Sequence, residues 1–116
     1  MKAIWINVVD RTITEVEYTG GLDLQRMVGG SICLAGCTLQ GDTVYVNDEG
    51  LYKFDRFFDF PQCGQGLFAG NGVIVGKEIG QTANTRPYRV TLQQVQDAVS
   101  FLTREEARFV AHQRGL

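Results

Sequence analysis

The residues of this chain best suited to chemistry begin with a glycine cluster. Gly64, Gly66, Gly70, Asn71 and Gly72 lie close together, with Arg86 and Arg89 further along, and glycines with cations in reach suggest a ligand site of the nucleotide-binding kind. A phosphate cradle needs a strand before the glycines and a helix after them, because the helix end presents N–H groups to the anion. Here Val73, Ile74 and Val75 follow, a strand pattern. Turn glycines joining two strands are therefore the simpler reading, with ligand binding as the alternative.

Cys33, Cys37, Cys63 and the single His112 have the donor types of a zinc site. If Cys33 and Cys37 share one face of a strand, they stand about 13 Å apart, too far to hold one ion unless the chain bends at Gly36. The expectation is therefore no metal, with the cysteines packed as small hydrophobes. Asp48 with Glu49 and Asp55 with Asp59 are the adjacent carboxylates that could work as acid and base. The first pair sits in a turn, where carboxylates stay solvated and take backbone N–H groups, so no catalytic residue is assigned. His112, near the end of the last helix, reads as a cation favoured by the helix dipole. Phe57, Phe58 and Phe60, with Phe54 and Arg56, could stack nucleic-acid bases. Too few lysines and arginines accompany them to hold phosphates, so they are expected to close the core or to form a contact between subunits.

These residues must be positioned by a small β-rich body. Thr43 to Phe54 reads as a hairpin turning at Asp48-Glu49-Gly50, with Val46 opposite Tyr52 and Val44 opposite Phe54. Ile4, Ile6 and Val8 mark a core strand, and Thr12 to Tyr18 its exposed partner. Asp23 caps a short helix carrying Leu24, Met27 and Val28, ended by Gly29 or Gly30. Ser31 to Leu39 is extended, and Val73-Ile74-Val75 is a strand buried on both faces in the middle of the sheet. Thr91 with Gln94, and Thr103 with Glu106, are capping boxes heading two short helices that bend at Leu102 and Thr103. The expected fold is α+β: a mostly antiparallel sheet of about five or six strands, with a short helix near Leu24 and a C-terminal helix or helix pair packed on one face.

The chain has 116 residues, of which 44% are hydrophobic, enough for one domain and too few for two. The expected plan is a β-rich body over 1–76, a polar connection over 77–90 and a helical segment over 91–114. Lys and Arg number 11 against 13 Asp and Glu, for a formal charge of -2, so neither a basic nucleic-acid face nor a DNA-mimicking acidic surface is indicated. Asn7 and Asp10 interrupt the apolar N-terminus well short of a signal-peptide core or membrane span, and an odd cysteine count argues against a disulfide framework. A cytoplasmic protein with reduced thiols and no cofactor is expected.

Leu24 to Ile32 (L-Q-R-M-V-G-G-S-I), Val46 to Gly50 (V-N-D-E-G) and Phe68 to Gly76 (F-A-G-N-G-V-I-V-G) together resemble DUF3846, a family of small domains of unknown function found in bacteria, phages and plasmids. The likeness extends to Gly76. Cys33 departs from it, standing where the family often has an acidic residue. The resemblance implies an accessory protein of a phage or mobile element and brings no activity with it. Combined with the residues above, it leads to the expectation of a non-enzymatic protein that binds a macromolecular partner as a homo-oligomer through Phe57, Phe58 and Phe60. The alternatives are a nucleotide-like ligand held by the glycine loop, Arg86 and Arg89, or a small enzyme assembled from distant residues.

Overall fold

The computed structural model describes residues 1–50, 55–76 and 87–116, and the fold is α+β. Among those residues the order is β1 (Lys2–Asn7), β2 (Thr12–Glu17), α1 (Gly21–Val28), β3 (Ile32–Cys37), β4 (Thr43–Asn47), β5 (Arg56–Asp59), β6 (Leu67–Ala69), β7 (Gly72–Val75), α2 (Leu92–Ala98), β8 (Ser100–Thr103) and α3 (Arg104–Arg114). The strand pairings are antiparallel and form two sheets, ordered β2-β1-β7-β4-β3 and β6-β5-β8.

The larger sheet is built around β7. Val73 and Ile74 are 0% exposed and Val75 is 3% exposed, which fits a strand with neighbours on both edges and layers on both faces. On one face Ile4, Ile6, Val44, Val46 and Ile74 pack against Phe58, Phe60 and Phe68 of the second layer and Val95 of α2. On the other, Ala3, Val73 and Val75 meet Leu24 and Val28 of α1 together with Tyr18. Alternation along each strand sends successive side chains to these two cores. β1 and β2 form the expected hairpin, from Lys2↔Glu17 to Asn7↔Thr12. The Asn7 side chain closes it by accepting from the N–H groups of Val9 and Asp10 at 3.1 and 3.2 Å.

The hairpin expected at Thr43 to Phe54 is replaced. Residues 51–54 lie outside the described residues, but β4 already pairs with β3 on one edge and β7 on the other. No edge remains for a local partner, so Val44 and Val46 face the core beside distant strands.

The expected bend between two helices is also different. α2 stops at Ala98, and Ser100 to Thr103 run as a strand that pairs with β5, Phe58 opposite Phe101. The capping boxes at both helix starts are present: Thr91 and Thr103 accept from the N–H groups of Gln94 and Glu106, whose side chains reach back. An N-cap residue needs extended backbone, and at Thr103 that requirement merges with the end of β8. Asp23 does not cap α1 from outside. The helix starts at Gly21, and Asp23 sits in its first turn, accepting from the Thr19 N–H and hydroxyl at 2.7 Å each.

Candidate functional site

The three motifs that carry the resemblance meet in space, around the C-terminal end of α1. The last carbonyls of a helix have no partner within it, and here the sheet supplies them. Trp5 Nε1 and Asn71 Nδ2 both donate to the Met27 carbonyl, at 2.9 and 3.0 Å. Asn47 Nδ2 donates to the Val28 carbonyl at 3.1 Å. The other ends of the two amides are also used: Asn71 Oδ1 accepts from the Val8 N–H at 2.9 Å and Asn47 Oδ1 from the Glu49 N–H at 2.8 Å. Gly29, at φ 82°, finishes the helix by donating to Gln25 and Arg26 carbonyls. None of these groups titrates near neutral pH. What the motifs build is a joint that fixes the helix on the sheet.

Asn71, expected in a ligand loop, is thus a structural cross-link. Gly64, Gly66 and Gly70 hold φ of 54°, 88° and 79° in the turns on either side of β6, a backbone region that favours glycine. At Gly72 a Cβ would stand 2.7 Å from Phe58 Cζ, so that glycine makes room for the ring from the second sheet. The nearby cavity, about 180 Å³, is lined by Val46, Asn47, Asp48, Gln65, Leu67 and Phe68 among others. That is below the roughly 300–1,000 Å³ of ordinary ligand sites, and no arginine among the described residues lines it. Arg86 lies outside the described residues. Arg89 is exposed, and its backbone N–H is bound to Asp42 at 2.9 Å.

Phe57, Phe58 and Phe60 are 6%, 0% and 1% exposed. They fill this chain's own cores, Phe58 against Phe68 with ring centroids 5.3 Å apart, so they offer no surface to a second subunit. Core closure, the other expected role, is what the residues do.

The remaining candidates are dispersed. A bulge between Leu34 and Gly36 sets Gly36 opposite Val44 and Cys37 opposite Thr43. The extra residue reverses the alternation, so Cys33 and Cys37 lie on opposite faces instead of sharing one. Cys63 is fully buried, and burial, followed by the proximity of Cys37, pushes its thiol up to about 11. Burial, then Asp48, also raises Cys33. Asp59 is held by Arg114 through two 2.8 Å bonds, while Asp55 and His112 are exposed. Among the described residues no group of three or more His, Cys, Asp and Glu is placed to hold a metal ion, and no described helix is long and apolar enough to cross a membrane.

Asp42 is 0% exposed. Its carboxylate accepts from the N–H groups of Arg89 and Val90, the latter at 2.7 Å. It thereby pins the segment that leads into α2. Its own N–H donates to Thr38 Oγ1 at 3.0 Å.

One surface is organised differently from the rest. Among the described residues β3 is an edge strand whose one neighbour is β4, residues 31–40 contain no charged side chain, and Leu34 and Leu39 are 64% and 74% exposed. No protein-family model, curated protein or solved structure matches the chain.

Proposed function

We propose that this chain is a non-enzymatic binding protein acting through macromolecular association, and that a second copy of the chain meets it along β3. The observation that carries the reading is the uncharged outer edge of β3 with Leu34 exposed beside it. An edge strand leaves a row of backbone donors and acceptors unpaired, and natural proteins commonly protect such edges with charge. The opposite edge of the same sheet follows that practice, with Glu15 and Glu17 exposed on β2.

A second copy fits because antiparallel pairing of two identical edges uses the same patch on both subunits, and two neutral edges meet without repulsion. The bulge at Ala35 limits the length available. A Cβ at Gly64 would stand 2.7 Å from the Ala35 carbonyl oxygen, so the turn after β5 crosses the edge there and leaves Ile32 to Leu34 for pairing. So short a contact gives a dimer that depends on concentration. An accessory role in a phage or mobile element is what the resemblance adds to this reading.

Light scattering over a concentration series tests it. The wild-type mass should rise from one chain toward two, and Leu34→Lys should stay at one chain. A wild-type mass of one chain throughout would remove the proposal.

A further inference from the structure

The described residues cover only part of the sheet face that carries α1. Beside the start of α1 lies a cavity of about 330 Å³ whose walls include Tyr18, Gly20, Gly21, Leu24, Ile32 and Val75, a size within the roughly 300–1,000 Å³ range of small-molecule sites.

Two hydrogen-bonding groups in the walls have no partner among the described residues. Tyr18 is 5% exposed, yet among the described residues no group is bonded to its hydroxyl. The ring is buried while the hydroxyl oxygen stays accessible, so the O–H can be reached from the cavity. The N–H of Gly21, in the first turn of α1 and in the cavity wall, likewise meets no acceptor among the described residues. Gly20 and Gly21 need not be glycine for the fold. Gly20 is extended at φ 174°, and a Cβ on either would meet nothing within 4 Å. What the missing side chains achieve is an unobstructed helix end at the cavity wall.

From this we infer that the cavity is a binding site for a small, uncharged, mostly apolar molecule that presents a carbonyl oxygen. The oxygen takes the Tyr18 O–H and the Gly21 N–H, and the apolar body lies against Leu24, Ile32 and Val75. A helix N-terminus also favours anions, but here that charge is already supplied. Asp23 stands in the same turn, with its carboxylate bound to Thr19 and 3.6 Å from Arg26. Among the described lining residues the charged group is the Met1 ammonium, and Glu17 and the Tyr18 carbonyl already hold it, so a ligand carboxylate would lose its hydration without a new cation to meet, whereas an amide or ketone keeps the hydrogen bonds at less desolvation.

The test is a titration of the isotope-labelled protein with isobutyramide and hydrocinnamamide, matched against hydrocinnamate, followed by the amide resonances of Gly20, Gly21 and Leu22. The amides should shift those resonances at millimolar concentration, hydrocinnamate should bind several-fold more weakly, and Tyr18→Phe should weaken amide binding several-fold. Because the hydroxyl has no partner among the described residues, Tyr18→Phe should melt with the wild type, which separates loss of the site from loss of the fold. Gly20→Leu, placed where nothing is in contact, should block binding and leave melting unchanged. Amides that leave these resonances unmoved, or that bind Tyr18→Phe as well as wild type, would overturn the inference.

Discussion

The carboxylate of Asp42 and the backbone N–H of Val90 are joined by a 2.7 Å hydrogen bond across 48 residues of sequence. Asp42 is fully buried, and the same carboxylate also takes the Arg89 N–H. Asp42→Ala leaves both donors without their acceptor and should cost about 2–4 kcal/mol. Asp42→Asn keeps one acceptor oxygen and should cost less. Urea unfolding checks the order, and equal losses for the two variants would contradict the role given to the carboxylate.

At the end of α1, Trp5 and Asn71 share one acceptor, the Met27 carbonyl. Either donor alone still satisfies that oxygen, so the loss of both should exceed the sum of the single losses. In a double-mutant cycle of Trp5→Phe and Asn71→Ala, the coupling should be about 0.5–1 kcal/mol. Strict additivity would mean that the two bonds do not share the work.

The pH dependence follows from the helix starts. The Thr103 N–H, then its hydroxyl, holds the Glu106 carboxyl below its ordinary range, and the Thr19 N–H and hydroxyl do the same for Asp23. A group whose pKa is lowered by folding stabilises the fold above its unfolded pKa, and that contribution disappears as pH falls through the folded value. Melting temperature should therefore drop on acidification through the carboxylate range. Glu106→Gln retains a capping-box acceptor without the proton, so its acid limb should be shallower; an acid limb like that of the wild type would contradict this.

The cysteines should react in a fixed order. Cys37 is exposed, Cys33 is half-buried and Cys63 is sealed in the core. With its thiol pushed up to about 11, Cys63 carries almost no thiolate at neutral pH, and the thiolate is the reactive form. A disulfide-exchange reagent should label Cys37 first and reach Cys63 only as the protein unfolds. Peptide mapping after brief labelling reads the order, and early modification of Cys63 would contradict its burial.

Much of this architecture was legible because its signals are local. Val73-Ile74-Val75 announces a strand covered on both faces, and Thr91 with Gln94 and Thr103 with Glu106 announce helix starts, each within a few residues. What sequence did not reveal depends on partners far away. The edge that Tyr52 and Phe54 were expected to take on β4 belongs to β3 and β7. Phe101 and Leu102 continue a helical spacing, but pairing with Phe58 and Phe57 draws them into a strand. A single extra residue near Ala35 reverses the face of Cys37. Asp42 was hidden because the N–H groups it binds belong to Arg89 and Val90, beyond a long polar stretch. Of the ligand-site candidates, Asn71 and Gly72 proved to be parts of the packing, and the cavity beside Tyr18 is walled by residues of ordinary type that only the fold brings together.

The ring of Phe58 sits in the notch left by Gly72, with the nearest approach to a Cβ there only 2.7 Å. Such a peg and socket resists shear: neither layer can slide along the other without lifting the ring out. Load applied through α3, which Arg114 ties to Asp59, is then carried by β5 directly into the middle strand of the larger sheet, so the two layers should yield to pulling in one event, without a separate slip.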